Sequence, residues 1–282
     1  MMKRKTKKTV QVVIITIIML IASLLCIFPF YWMILNSFKQ PLEIFKVPVD
    51  IFTFNLTLTS YKAVFQYEDG IIWRAYLNSI FIALCSTLGT LFTSSLAAFA
   101  FAKLKFKGNK ALYALFIATL MIPGQVTMLP LFVIFTGLRW TDTFLPLIVP
   151  GVLINTYGVF MLRSFIVSIP NELLEAAEVD GCSYFKKYTS IILPLLKPAL
   201  ITLGLFTFIG SWNNYFGQLI YLNSPERTTI PLLIAGLKES RMTGVEWGRI
   251  MAASTLSIVP IAIVYLKCQK YFVQGIATTG IK

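Results

Sequence analysis

Residues 170–200 read PNELLEAAEVDGCSYFKKYTSIILPLLKPAL. Pro170 suits the first turn of a helix, where its missing N–H costs nothing. Glu172 and Glu175 then lie near the positive end of the helix dipole, which favours acidic side chains. Gly181 adopts the left-handed conformation that ends many helices at little cost. The stretch therefore predicts a short helix, a glycine turn and a second short helix.

The faces of these two helices suggest what the element does. Residues three and four apart share a helix face, so Leu173, Ala176 and Ala177 are expected to form a small apolar patch. In the second helix Tyr184 and Tyr188 are expected to lie together, with Lys186 and Lys187 turned away. Two interpretations remain open: an amphipathic loop on lipid headgroups, or a docking element whose alanines let a partner approach the backbone closely.

The flanking sequence predicts an all-α membrane protein. Of its 282 residues 57% are hydrophobic and 13% charged, against about a quarter charged in soluble domains. The apolar residues form long runs, and about 20 of them in a helix span a bilayer. We predict one membrane domain, 1–282, in which residues 166–190 form a loop. Its six transmembrane helices are expected at 10–36, 76–102, 111–136, 143–165, 191–222 and 249–273.

The placement of charged residues predicts the topology, and the placement of prolines predicts where the spans break. With the N-terminus inside, most of the 25 basic residues and a minority of the 12 acidic residues lie on the inner side. The positive-inside rule thus predicts that both termini and the 166–190 loop are cytoplasmic. Pro123-Gly124, Pro150-Gly151 and Pro194 are expected to break the third, fourth and fifth spans, which favours a bundle enclosing a path.

Several kinds of chemistry are made improbable by what the chain contains. It has no histidine and no paired CxxC cysteines, so we predict no metal site and no His-activated nucleophile. Its four cysteines are expected to be membrane-buried side chains; they are Cys26, Cys85, Cys182 and Cys268. No G-x-x-x-x-G-K-[ST] phosphate loop occurs. We therefore predict that the chain is not an enzyme and binds no cofactor itself.

The stretch also resembles the EAA motif of permease subunits in ATP-binding-cassette (ABC) importers. It matches at Glu175-Ala176-Ala177, at Gly181 and at 191–194, with both gaps of the family's length. The resemblance implies the type I importer permease fold and a coupling helix that docks on a cytoplasmic ATPase subunit, which binds ATP and magnesium. The residues expected to couple to that ATPase are Glu175, Ala176, Ala177, Asp180, Gly181, Leu193 and Pro194.

Other stretches resemble the carbohydrate-uptake branch, and in it the second permease of maltose-transporter type. They are Phe28–Trp32, Asn36–Lys39, Ser211–Phe216, Arg227–Leu232 and the tail 269–275. This resemblance implies a bacterial cell membrane and a sugar substrate. It also implies three kinds of partner: a second, different permease, two ATPase subunits and an extracellular solute-binding protein. A permease for a non-sugar solute is the alternative, and an ion-coupled carrier is a more distant one.

The fifth span carries the candidate substrate path. Amides and aromatic rings at membrane depth are costly unless they are paired or face water, and sugars are bound by such groups. The residues concerned are Trp212, Asn213, Asn214, Tyr215 and Gln218. The alternative is that Asn213 or Asn214 simply forms a hydrogen bond to a neighbouring helix.

Overall fold

The computed structural model describes the backbone of residues 2–48, 50–53, 55–239 and 244–279 and the side chains of 10–48, 50–53, 55–237 and 247–270. The described residues form helices and no strand. The helices are α1 Met2–Phe38, α2 Thr59–Gln66, α3 Ile71–Lys103, α4 Asn109–Ala118, α5 Gly124–Gly137, α6 Leu145–Leu153, α7 Thr156–Val167, α8 Glu172–Val179, α9 Tyr184–Lys187, α10 Leu193–Leu195, α11 Lys197–Trp212, α12 Tyr215–Tyr221, α13 Ile230–Glu239 and α14 Gly244–Thr279.

Four stretches are long and apolar enough to cross a membrane without a sharp bend. They are Val10–Phe38, Thr59–Lys103, Leu145–Val167 and Trp247–Lys270. Two further candidates are bent pairs, Asn109–Met121 with Gly124–Gly137 at 100° and Tyr184–Leu195 with Lys197–Trp212 at 78°. The prediction of an all-helical membrane protein is confirmed, with four to six spans. Met1, residues 280–282 and most side chains of the tail 269–275 lie outside the described residues, and the cytoplasmic termini stay a prediction.

Two of the predicted spans differ in detail from the structure. The fourth does not break at Pro150-Gly151, because both residues lie inside α6. Its helix ends at Leu153, and α7 begins after Asn155, whose side chain accepts the hydrogen bond that starts the new helix. The predicted fifth span, 191–222, is not one helix, since the chain bends beside Leu196 and breaks again after Trp212.

The chain divides into two compact units, residues 1–70 with 234–259 and residues 71–233 with 260–282. In the first unit the end of α1 is tied to the loop after it. Ser37 Oγ and Tyr61 Oη lie 2.8 Å apart, and Lys39 Nζ donates to the Asp50 carbonyl at 2.7 Å. The same ammonium lies 4.9 Å from the ring centre of Trp32. The segments at the end of α1 that resemble sugar permeases, Phe28–Trp32 and Asn36–Lys39, therefore hold this loop in place.

In the second unit α3, α7 and α11 pack around one apolar core. A cluster of buried side chains runs along these helices and reaches α8 and the π-helical turn Tyr188–Ile192. It comprises Ala98, Phe99, Val159, Leu162, Ile166, Leu174, Tyr188, Ile192, Leu196, Ala199 and Leu203. Because packed interiors have little free volume, a displacement of α8 would shift the side chains that are packed along this cluster.

A carboxylate links two connections of the second unit. Asp142 accepts hydrogen bonds from the N–H groups of Asn223 and Ser224, each at 3.0 Å, and from the Ser224 hydroxyl. Its own N–H donates to the Tyr221 carbonyl at 2.7 Å. The hydrogen bond from the Ser224 hydroxyl is the main cause that lowers the pKa of Asp142 to about 2. Asp142 thus fastens the chain after α12 to the turn before α6.

We expect replacement of Asp142 with Asn to loosen this link at neutral pH. A carboxyl whose pKa is lowered on folding adds stability above its ordinary pKa of 3.8 and loses that stability as the pH falls towards 2. Half-exposed hydrogen bonds of this kind are worth about 1 kcal/mol. Amide hydrogen exchange at Asn223 and Ser224 should therefore be faster in the variant at pH 7, and the difference should shrink below pH 4.

The matched control is Asp69→Asn. Asp69 shares the left-handed backbone of Asp142 (φ 53° and 55°), but its carboxylate accepts no hydrogen bond from the described residues. Exchange at Asn223 and Ser224 should not change in this control. Equal amide exchange at Asn223 and Ser224 in the wild type and in Asp142→Asn at pH 7 would show that the carboxylate does not stabilise this link.

Candidate functional site

Helix α8 has one face buried in its own unit and one face exposed. Leu174 and Ala177 are only 9% and 7% exposed, and Leu174 belongs to the apolar core. Beside this buried face Leu173, Ala176 and Val179 form an exposed ridge at three-residue spacing, and Val179 is 89% exposed. An apolar ridge of this kind on a short polar helix is a surface available to a partner. We call Leu173, Ala176 and Val179 the α8 ridge.

The predicted apolar patch is therefore partly wrong. Leu173 and Ala176 do share an exposed face, but Ala177 turns inward with Leu174. Ala177 lies 40° round the helix from Leu173 and 100° from Ala176, so spacing alone allowed either grouping. Burial of the larger Leu174 decided the rotation of the helix.

A glycine turn ends α8, as predicted. Gly181 has φ +72°, and its N–H donates to the Glu178 carbonyl at 2.9 Å. The N–H of Cys182 donates to the Ala177 carbonyl at 2.8 Å. These two hydrogen bonds form a Schellman motif, which satisfies carbonyls at the end of the helix and reverses the chain. Apart from Gly181 and its two chain neighbours, no atom lies within 4 Å of the position that a Cβ on Gly181 would occupy.

The second helix is oriented differently from the prediction. Lys187 is not turned away: its side chain is only 4% exposed and its ammonium donates to Glu178 Oε2 at 2.8 Å. Glu178 itself is 70% exposed, and this hydrogen bond is the main cause that lowers the pKa of its carboxyl. Tyr184 is exposed whereas Tyr188 is buried, so the two rings do not lie together. The Lys187–Glu178 pair joins the two helices across the glycine turn.

Three contacts attach this element to α3. Lys103 Nζ donates to the Ile169 carbonyl at 2.6 Å and to Asn171 Oδ1 at 2.7 Å, just before α8. After α8, the Tyr188 hydroxyl lies 2.7 Å from Ser95 Oγ. The element is therefore held to one long helix on both sides of the α8 ridge.

The other predicted coupling residues fall into two groups. Glu175 is exposed on α8 beside the ridge and lines a cavity of about 410 Å³ between α8 and the end of α3, and the exposed Asp180 directly follows α8. Leu193 and Pro194 lie in α10, next to the 78° bend, and Leu193 packs against the core. The structure brings the first group together with the glycine turn and leaves the second at the base of α11.

Two of the predicted path residues are enclosed by their own chain. Trp212 is 1% exposed and stacks on Phe208, with ring centres 5.9 Å apart. Gln218 is also buried and accepts a hydrogen bond from the Thr229 hydroxyl at 2.5 Å. Both side chains are buried within this chain, Trp212 by ring contacts and Gln218 by a hydrogen bond, so neither presents a surface to a path.

The remaining three path residues are accessible. Asn213 and Asn214 are exposed and Tyr215 is half-buried. Asn214 also lines a cavity of about 310 Å³ between α3, α6, α7 and α11. Three further residues of this cavity, Ser86, Asn155 and Tyr157, were missed by the sequence analysis. The pattern shared by 155–158 and 214–217, Asn-x-aromatic-Gly, is the signal by which two of them were detectable.

The described residues contain no group of three His, Cys, Asp or Glu side chains able to hold a metal ion. The four cysteines are free, and Cys26 is exposed whereas the other three are half-buried. The arrangement offers an exposed ridge on α8 and a cavity lined by polar groups.

Comparison with known proteins identifies the class. Residues 89–278 match the family model described as the binding-protein-dependent transport system inner membrane component. The arabinooligosaccharide transport permease AraQ of Bacillus subtilis is 30% identical over the full length of both chains. The trehalose/maltose transport permease MalG of Thermococcus litoralis is 34% identical over 100% of this chain and 99% of its own.

A solved structure agrees with the fold. A chain of a bacterial ABC transporter involved in the import of the acidic polysaccharide alginate superposes with a TM-score of 0.81. The alignment covers 94% of this chain and 97% of that one at 23% identity. The chain belongs to the family of inner-membrane components of binding-protein-dependent transport systems, the ABC importer permeases. It is a multi-pass membrane protein and a permease subunit, not an enzyme, and ATP is hydrolysed by a separate subunit of such systems.

Proposed function

We propose that this chain is one of two different permease subunits in a bacterial cell-membrane importer for sugars or oligosaccharides. An extracellular solute-binding protein delivers the substrate, and two cytoplasmic ATPase subunits, which bind ATP and magnesium, drive transport. Substrate crosses by alternating access, in which ATP binding opens the path outward and hydrolysis resets it. The observation that carries the proposal is the α8 ridge, an exposed apolar surface fixed to the membrane helices from behind.

The coupling role is supported by the contacts that attach α8 to the membrane helices. The ridge is formed by small and medium apolar side chains, so a partner can approach the helix backbone closely. Behind it, Leu174 joins the core that extends to Leu203 in α11. Lys103 and the Tyr188–Ser95 pair attach both ends of the element to α3. A push on the ridge by a closing ATPase dimer would therefore move α3 and α11 together.

The substrate class is supported by the relatives. AraQ and MalG, which match over the whole chain, are named for transport of arabinooligosaccharides and of trehalose and maltose. The accessible Asn213, Asn214 and Tyr215 offer the amide and aromatic groups that sugars bind. A non-sugar solute is the alternative substrate, and an ion gradient is the alternative energy source.

Cysteine cross-linking tests the coupling role. In a variant whose four native cysteines are replaced, Ala176→Cys is expected to cross-link to the ATPase subunit in the assembled transporter, because Ala176 lies on the exposed ridge. Ala177→Cys is the matched control, one residue along the same helix but 7% exposed, and should give little product. Equal labelling of the two, or no product from Ala176→Cys, would contradict the docking surface.

Uptake into reconstituted vesicles tests the substrate and the energy source. Labelled neutral oligosaccharide should accumulate when binding protein and ATP are supplied and should continue to accumulate when a protonophore collapses the ion gradients. Uptake that depends on the ion gradient and does not require ATP would favour the ion-coupled carrier. ATP-dependent vesicles that take up no carbohydrate would favour the non-sugar solute.

A further inference from the structure

Two breaks in the helices of the second unit are built in the same way. Asn155 starts α7 by accepting a hydrogen bond from Gly158 N at 2.7 Å, and Asn214 starts α12 by accepting one from Gly217 N at 3.1 Å. A Cβ on Gly158 would lie 2.9 Å from Asn155 Oδ1, and one on Gly217 would lie 2.8 Å from Asn214 Nδ2. Each glycine therefore makes room for its asparagine, and both amide side chains are held in a defined position.

Both asparagines line the 310 Å³ cavity, although 59 residues separate them in the chain. The opposite wall is α3, which contributes Ser86 and Thr90, and Tyr157 of α7 lies at the side. Ligand cavities in proteins begin at about 300 Å³, so this space admits a short segment of a polar chain. The described residues that line it carry no charge.

The cavity has polar groups that its own chain leaves unpaired. The Nδ2 groups of Asn155 and Asn214 have no acceptor among the described residues, because each cap uses only the side-chain oxygen. Ser86 is 5% exposed, and its hydroxyl has no partner within the described part of the chain. Tyr157 is 48% exposed and offers an aromatic face. Asn155 is half-buried and Asn214 is exposed, so their amide groups stay accessible to a ligand or to water in the cavity.

The depth of the cavity fits a transport path. Ser86 lies near the middle of α3, and Asn155 lies at the middle of the candidate span Leu145–Val167. Unpaired amides and hydroxyls are most costly at that depth, and transporters place substrate sites there, often where helices are discontinuous. Among the described residues, the helices that follow the two sharp bends begin after Pro123 and Leu196 and carry no asparagine cap.

We propose that this cavity binds an uncharged sugar unit, held by the side-chain amides of Asn155 and Asn214 and by the face of Tyr157. The inference rests on the proposed function. It adds Asn155 to the candidate path residues and restricts the substrate to an uncharged sugar. Two fixed NH₂ donors match the ring and hydroxyl oxygens of a sugar. Because the lining has no cation, a uronic acid carboxylate would be desolvated without compensation.

The experiment replaces each asparagine with serine, in reconstituted transporter supplied with loaded binding protein. Serine keeps an oxygen that can cap the helix but removes the NH₂ donor. We expect ATP hydrolysis stimulated by the loaded binding protein to stay near the wild-type rate. Sugar transported per ATP hydrolysed should fall about threefold to tenfold in each variant, as for one lost hydrogen bond. The double variant should fall further.

Asn223→Ser is the matched control, since Asn223 is exposed and outside the cavity, and its sugar-to-ATP ratio should not change. An unchanged ratio in Asn155→Ser and Asn214→Ser would overturn the proposal while leaving the importer function intact. A parallel loss of stimulated ATP hydrolysis would also overturn it, because the residues would then act in structure or coupling. Absence of sugar uptake by the wild type would instead be a failure of the proposed function.

Discussion

Replacement of Gly181 with valine is expected to uncouple ATP hydrolysis from transport while the protein still inserts and assembles. Gly181 has φ +72°, where a β-branched residue is strained by about 1–3 kcal/mol. Each 1.4 kcal/mol is about a tenfold change in a conformational equilibrium. The strain falls on the turn that ends α8, so the α8 ridge would occupy its docking orientation in a small fraction of molecules. Uptake should fall by about tenfold or more.

The environment of Gly181 separates this effect from misfolding. Outside residues 180–182 no atom lies within 4 Å of the added Cβ position, so the expected cost of valine comes mainly from the backbone dihedral. Gly181→Asn is the control, because asparagine tolerates the left-handed conformation better than other residues do. We expect Asn to retain most uptake, and the amount of assembled transporter to be equal in both variants. Valine and asparagine variants with the same uptake would refute the argument.

Replacement of Glu178 with alanine is expected to reduce uptake several-fold, more than replacement of its partner Lys187 with methionine. The pair is asymmetric, since the lysine side chain is 4% exposed and the glutamate side chain 70% exposed. Removing Glu178 leaves an ammonium buried without its carboxylate, which is the costly way to break an ion pair. Removing Lys187 leaves a carboxylate in water, and methionine fills the vacated space with an unbranched apolar chain.

The double variant Glu178→Ala with Lys187→Met tests this reasoning directly. It should recover uptake relative to Glu178→Ala alone, because no unpaired buried charge remains. ATP hydrolysis and uptake would be measured together, as for Gly181. A Lys187→Met variant that is more defective than Glu178→Ala, or a double variant with no recovery, would show that the ammonium has a role other than this pair.

The membrane class and the helix–glycine–helix element were predictable from the sequence. Long apolar runs predicted the spans, since a span depends mainly on local composition. The glycine turn was predicted because only a residue without Cβ takes a positive φ at low cost, which is a local property. The EAA spacing pointed to the family that the comparisons confirmed.

The rotation of each short helix was not readable. Leu173, Leu174, Ala176 and Ala177 allowed more than one apolar face, and Lys187 was placed outward because a lysine is rarely buried. The structure buries Leu174, Ala177 and Lys187, since the core around Tyr188 and Ile192 requires filling and Glu178 supplies the lysine with a partner. Such choices depend on residues distant in the chain.

The same division applies to the path through the membrane. The sequence by itself determined that amides and aromatic rings occur near 212–218, because composition and position along a span are local properties. Only the tertiary structure decided that Trp212 and Gln218 face inward and that Asn214 meets Asn155 and Ser86 in one cavity. The Asn-x-aromatic-Gly pattern marks 155 and 214 as similar helix starts, but residues 86, 155 and 214 become neighbours only through the packing of α3, α7 and α11, which no local pattern predicts.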